Sequence, residues 1–292
     1  MGSFKLPVPI FSSIRTSYFP LIKSLQTSLL LITGLAGYLS SRQVHIQPNS
    51  LLALAGSLFL AISGSTILNM WYDRDIDSLM KRTCHRPLPI QAISPAQALA
   101  LGVVFSIAGI TWALALSPLY AIVVSTGLLC DVIIYTLWLK RRTPWSIIFG
   151  GVSGGIPVLA GRCLATGKVD GIGLLLLLAV LFWIPTHILT FSMKYIEDYQ
   201  TANIPTIVTK YGYPTTRLLI AISSILAALS MGLAVYLVGS SSGALSVLVV
   251  LGTALLILAL TSVFRPSERL NFGLFKYASI YMLGAMLILA IH

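Results

Sequence analysis

Nine long apolar stretches, separated by short polar ones, make up most of the chain. They fall near residues 22–41, 50–71, 97–116, 118–138, 145–165, 171–192, 216–238, 243–263 and 273–291. Each is close to the roughly 20 residues that an α-helix needs to cross ~30 Å of hydrocarbon. The pattern predicts an all-α polytopic membrane protein of about nine transmembrane helices, in one domain spanning 1–292. Pro7, Pro9 and Pro20 interrupt the first 20 residues, which contain no continuous apolar core. No cleavable signal peptide is expected there.

The polar interruptions are unequal, and charge gives them a direction. Sixteen of the 19 Lys and Arg residues fall in alternate loops: Lys5, Arg15 and Lys23; Arg74, Lys81, Arg82 and Arg86; Lys140, Arg141 and Arg142; Lys194, Lys210 and Arg217; Arg265, Arg269 and Lys276. The other side holds Arg42, Arg162 and Lys168. The positive-inside rule then places the N-terminus in the cytoplasm and the C-terminus outside. Composition fits: 57% of the 292 residues are hydrophobic and 9% charged, where a soluble domain carries roughly 25% charged residues. That excludes a soluble, disordered, collagenous or disulfide-stapled protein. A net charge of +11 in a soluble chain would point to nucleic acid; here it describes basic loops at a lipid bilayer, and no nucleic-acid partner is expected. Cys84, Cys130 and Cys163 are odd in number and show no CxxC spacing, so neither a disulfide framework nor a zinc site is legible.

The acids are scarcer and more informative. Five of the eight fall in two clusters: Asp73, Asp75 and Asp77 at the end of the second stretch, Glu197 and Asp198 at the end of the sixth. An acid at mid-membrane costs roughly 2.5–3.5 kcal/mol on insertion scales and less near the interface. Asn69, Asp73 and Asp77 are spaced i, i+4, i+8, so on a helix they share one face over about 12 Å. Two carboxylates and an amide oxygen on one stripe suit Mg²⁺, which takes a few carboxylates, waters and substrate phosphates. The same pattern also describes an ordinary interfacial helix end whose acids are neutralised by Arg74, Lys81 and Arg82. Lys194 and Asp198 repeat the i, i+4 spacing four helices later, on the same side. That suggests two four-helix halves plus one helix, a parallel repeat with a site between its halves. Two facing acidic stripes could hold two Mg²⁺ ions and through them one diphosphate.

These residues resemble the UbiA superfamily of intramembrane prenyltransferases. Asn69, Asp73 and Asp77 match its first aspartate-rich motif. The run from Asp73 through Met80, Arg82, Thr83 and Arg86-Pro87-Leu88-Pro89 is similar to its haem O synthase branch. Tyr135 through Lys140-Arg141 and Thr143-Pro144, with Gly150, Gly151 and Gly154, resembles that branch, as do Trp183-Ile184-Pro185-Thr186-His187 and Glu197-Asp198-Tyr199 with Ile204-Pro205. Ile188-Leu189-Thr190 and Ser146 depart from its usual pattern, and Asp131 is not expected from it. The resemblance implies Mg²⁺-dependent transfer from a prenyl diphosphate, farnesyl in this branch, to a membrane-soluble acceptor: protohaem IX or, alternatively, a quinone precursor or other aromatic ring. Asp73, Asp77, Asn69, Glu197 and Asp198 would hold metal, and Lys194, Lys140, Arg141, Arg82 and Arg86 would pair with phosphate. Tyr135 would line the substrate site. His187 is either an acceptor ligand or a packed intramembrane histidine. Asp131 is either an acceptor-site acid or a partner for an interhelical Ser or Tyr. Gly150, Gly151, Gly154 and Gly155 read most simply as helix-packing positions. A secondary transporter also fits nine helices and buried acids, but its site usually lies at the midplane.

Overall fold

A computed structural model describes residues 18–41 and 47–291. Lys5, Pro7, Pro9, Arg15 and Arg42, which entered the signal-peptide and orientation arguments, lie outside the described residues. The fold is all helical. After a 3₁₀ turn at Phe19–Ile22 come α1 (Ser24–Leu39), α2 (Pro48–Leu79), α3 (Pro95–Leu116) and α4 (Pro118–Leu129), which continues as a π-helical stretch over Cys130–Leu139. Then follow α5 (Ser146–Thr166), α6 (Gly171–Lys194), the short α7 (Ile196–Thr201), α8 (Ile207–Val238), α9 (Ser242–Phe264) and α10 (Glu268–Ile291).

Among the described residues, eight helices are long and apolar enough to cross a membrane. The first apolar stretch forms a helix of only 16 residues, about 24 Å long, and much of it is buried against other helices. Helix starts follow local chemistry. Ser94 and Thr206 each make a capping box, and Ser117, Asp170 and Ser241 accept hydrogen bonds from the first turns of their helices; such caps satisfy backbone N–H groups that have no intrahelical partner. The spacing places α8 at 216–238, and the helix begins earlier, at Ile207. Its first turns are set off by a break at Gly212, φ +78°, just ahead of Pro214, so the apolar span starts where expected.

Each half repeats the same pairing. α2 packs along α3, α6 packs along α8, and α1 crosses α5 between them. At that crossing a Cβ on Gly37 would overlap the Val158 carbonyl, and one on Gly161 the Gly34 carbonyl, so two backbones touch directly. One apolar core gathers Leu54, Leu58 and Tyr120 of the first half with Ile156 of α5; another gathers Leu176, Ile220, Met231, Leu255 and Tyr281 in the second half. Large apolar side chains on the outer faces, among them Val104, Ile107, Ile122, Val249 and Ile257, are exposed, as a lipid-facing surface requires. The glycines of α5 pack as expected: Gly151, Gly154 and Gly155 meet Leu181, Ile184 and Leu177 of α6.

Candidate active site

The 32 residues of α2 extend about 48 Å, well beyond ~30 Å of hydrocarbon. Its last turns therefore reach the polar boundary, and they carry the first acidic cluster. Asp73 and Asp77 are 4% and 5% exposed, buried with Met70, Ile76 and Met80 on one face. Asp75 falls on the other face, with its side chain 60% exposed. Beyond α2 the chain turns back. The Thr83 hydroxyl donates to the Asp77 carbonyl at 2.9 Å, and Leu88 and Ile93 pack into the α2–α3 seam. That return aims Arg86 at the Asp77 carboxylate, 2.7 Å away. Lys140, at the end of the π-helical stretch, forms an ion pair with Asp73.

Asp73 and Asp77 face a cavity of about 350 Å³. Lys23, Arg82, Arg86 and Lys140 line it with Asp73, Asp77 and Asp131, one more positive group than negative. Burial pushes the Lys23 ammonium down to about 8, with Arg86 and Lys140 adding to the effect against the pull of Asp73 and Asp131. Lys140 is different: burial works against its charge too, yet the adjoining Asp73 carboxylate holds it above the ordinary lysine value. The Arg82 guanidinium lies over Phe191, 4.9 Å from the ring centroid, and over Tyr195 at 5.7 Å. Its Nε is buried without a partner, so Arg82 is held by π faces and keeps a spare donor.

The deeper end is aromatic. His187 is stacked between Trp183 and Phe275, with centroids at 4.9 and 4.4 Å, and its Nδ1 lies 3.2 Å from the Ser279 hydroxyl. His187 and Phe275 both line the cavity, with Tyr135 and Ile147. Asp131 lines the wall near Asn69. It accepts from the Asn69 amide at 2.7 Å and from the Ser65 hydroxyl. Of the two readings the sequence left open for Asp131, the interhelical partner is the one seen.

The second acidic cluster differs from its expected arrangement. α6 ends at Lys194, and Tyr195 leaves the helix at φ −111°, ψ 34°. Lys194 and Asp198 therefore do not share a helical stripe. Lys194 is exposed, 4.0 Å over the Phe272 ring, and does not line the cavity. Glu197 is exposed as well, 3.6 Å from Lys81. Asp198 is buried at the seam between the halves and accepts from the backbone N–H groups of Lys81 and Arg82 at 3.1 and 3.3 Å. Arg141 grips Asp75 through two 2.7 Å hydrogen bonds on the outer face of α2, with Asp73 at 3.9 Å. The bases that neutralise the first acidic pair are Lys140 and Arg86, not Arg74, Lys81 and Arg82.

The structure thus gathers Asn69, Asp73, Asp77, Arg82, Arg86, Tyr135, Lys140 and His187 around one cavity. Lys194, Arg141 and Glu197 lie outside it, and Asp198 sits behind the loop that follows α2. Lys23, Phe191 and Phe275 join the site unannounced. Lys23 entered the sequence argument only as a charge for orientation; the two phenylalanines are indistinguishable in sequence from ordinary apolar positions. Among the described residues, no three His, Cys, Asp or Glu side chains converge as a ready-made metal cage.

A helical membrane protein with paired carboxylates and surplus cations in a cavity that also carries aromatic and aliphatic side chains has the make-up of an intramembrane transferase acting on a phosphorylated lipid. Residues 30–281 match the model of the UbiA prenyltransferase family, and the chain belongs to that family. It is an integral, multi-pass membrane protein. It is 37% identical to the protoheme IX farnesyltransferase of Korarchaeum cryptofilum, over 76% of this chain and 74% of that one. The fold is shared with a digeranylgeranylglyceryl phosphate synthase (TM-score 0.79, 19% identity, 96% and 98% of the two chains). It is also shared with a UbiA homologue of Archaeoglobus fulgidus bound to GPP and Mg²⁺ (TM-score 0.69, 14% identity, 94% and 99%).

Proposed function

We propose that this chain transfers the farnesyl group of farnesyl diphosphate to protohaem IX, giving haem O, with Mg²⁺ as its metal. The observation that carries the reading is the buried pair Asp73 and Asp77, facing a cavity that also holds Lys23, Arg82, Arg86 and Lys140. The names of the curated relatives and the GPP and Mg²⁺ bound by the Archaeoglobus homologue support it.

The residues fit Mg²⁺. Asp73 Oδ1 is buried without a hydrogen-bond partner, and the donors are hard oxygens, with too few protein ligands to dispense with phosphate and water. Asp73, Asp77 and Asn69 would hold one ion; Asp198 would reach a second only by leaving the loop amides of Lys81 and Arg82. A metal held there would stabilise the negative charge of the diphosphate, which leaves with the C–O bonding pair. Lys140 and Arg86, no longer tied to their carboxylates, pair with phosphate oxygens, joined by Arg82 and Lys23. The Tyr135 and Phe191 rings face the allylic carbon as positive charge grows there, while Ile147 and Phe275 keep bulk water away. A vinyl carbon of the acceptor, held at the His187 end, supplies the electron pair of the new C–C bond; water closes the remaining cation and loses a proton. From the distribution of bases, the polar end of the cavity faces the cytoplasm.

Membranes containing the chain, supplied with farnesyl diphosphate, Mg²⁺ and protohaem, should release diphosphate and yield a haem heavier by one farnesyl group and one hydroxyl group. Prenylation of an added aromatic acceptor without any haem product overturns the acceptor; solute movement without diphosphate release overturns the enzyme. In purified protein, His187→Ala should abolish the Soret shift on haem titration and leave prenyl-diphosphate binding intact.

A further inference from the structure

The π-helical stretch Cys130–Leu139 is a departure from α geometry, and such departures tend to occur at functional sites. Its wide turns bring Asp131, Tyr135 and Lys140 to the cavity wall and Thr136 against α2. The result is a chain of side chains that ties this stretch to the acidic stripe. The Asn69 amide NH₂ donates to Asp131 Oδ2 at 2.7 Å, the Ser65 hydroxyl donates to the same oxygen, and the Thr136 hydroxyl donates to Asn69 Oδ1 at 2.8 Å. On the far side, Ser153 of α5 lies 3.5 Å from Asp131 Oδ1.

This chain has a direction. A carboxylate only accepts hydrogen bonds and a threonine hydroxyl has one proton to give, whereas an asparagine has a donating end and an accepting end that differ little in shape. Asp131 therefore selects the NH₂ end of Asn69, and Thr136 faces the oxygen. Asn69 stands one turn before Asp73 on the stripe, and only its Oδ1 can ligate a cation; its NH₂ would repel one. We propose that Asp131 is a positioning residue that fixes the rotamer of Asn69, so that Oδ1 rather than NH₂ belongs to the divalent-cation site. The inference rests on the reading of Asp73 and Asp77 as metal ligands. It gives an intramembrane acid, four residues ahead of Tyr135, a task that needs no contact with substrate.

The test reads metal binding rather than turnover. Mn²⁺ is titrated by electron paramagnetic resonance into purified full-length protein in detergent, with farnesyl diphosphate present. Asp131→Leu should raise half-saturating Mn²⁺ about tenfold, the lower end of what losing a group behind a metal ligand costs. Asp131→Asn, which keeps the volume should the leucine variant fail to fold, should weaken binding too, because its own NH₂ lets Asn69 turn over. The exchange Asn69→Asp with Asp131→Asn puts an oxygen on the metal side whichever way residue 69 turns, and should recover at least the affinity of the parent. A merely structural role would lower the melting temperature of the single variants without moving Mn²⁺ affinity. Single variants that bind Mn²⁺ as the parent does overturn the inference and leave the function standing. A parent that binds no Mn²⁺ with farnesyl diphosphate overturns both.

Discussion

The two acidic clusters look alike in sequence and are built differently. Each follows a long apolar helix, the two lie four helices apart, and both reach the same end of the bundle. In the first, Asp73 and Asp77 are buried against the charged tips of long side chains, Lys140 and Arg86. In the second, Glu197 is exposed and Asp198 is bound by two backbone N–H groups. A carboxylate paired with a side-chain cation can change partners when a metal or phosphate arrives, because the cation swings with it. A carboxylate that caps backbone amides is part of the scaffold and changes partners only if the loop moves. Residue type is the same; what approaches it decides the work it does.

The largest effect expected is at the first cluster. Asp73→Asn or Asp77→Asn should lower turnover at least about a hundredfold, near 2.7 kcal/mol of transition-state stabilisation, while the protein still inserts and keeps its fold. Diphosphate release from purified variants measures it. Asp73→Ala should also destabilise, because the partly buried Lys140 loses its ion-pair partner. Adding Lys140→Ala should recover the melting temperature without recovering activity. Asp75→Asn, on the outer face of α2 with Arg141, is the control and should lose less than about threefold. If Asp75→Asn is the more damaging change, the contrast between the two faces of α2 is lost.

Asp198→Ala comes next and sharpens the comparison. Removing the carboxylate frees the backbone of Lys81 and Arg82, and with it the placement of Arg82 and Arg86. As a scaffold residue, Asp198 should affect the prenyl-diphosphate KM, raising it about tenfold, equivalent to ~1.4 kcal/mol, and the loop should be cut faster by trypsin at Lys81 and Arg82. As a metal ligand it should instead raise the Mg²⁺ requirement at unchanged KM for the diphosphate. Both effects together would mean that Asp198 leaves the loop when metal binds.

Local geometry made much of this readable from the chain. Hydrocarbon thickness fixes how long an apolar helix must be, so eight of the nine stretches counted along the chain form helices long enough to cross a membrane, and the first forms a shorter one; the Asn69–Asp73–Asp77 stripe follows from 3.6 residues per turn. What the sequence hid depends on distant approach. Lys140 meets Asp73 from 67 residues away, and nothing in either neighbourhood pairs them. Arg82 is clamped by rings on α6 and at its end, and Phe275 arrives from the last helix, where apolar residues carry no label. The π-helical register at Asp131 has no local signature. The spacing puts Lys194 on a stripe with Asp198 and the structure does not, for one physical reason: i, i+4 spacing implies a shared face only in an unbroken helix, and this helix ends between the two residues.

That break gives the smallest expected effect and the most direct test of the difference between the clusters. Lys194 rests over Phe272 and Tyr195 on an exposed surface, held by ring faces that contribute little where water competes. Glu197 and Lys81 form an ion pair with 81% and 87% of their side chains exposed, and pairs so exposed add almost nothing to stability. Lys194→Ala and Glu197→Gln should therefore leave kcat and both KM values within about twofold of the parent. A tenfold rise in the diphosphate KM for Lys194→Ala, with kcat unchanged, would show its ammonium reaching the phosphate in the working enzyme. The second cluster would then supply charge to the substrate as the first does, and the division between a working cluster and a scaffolding one would fail at the residue where the sequence pattern and the helix break disagree.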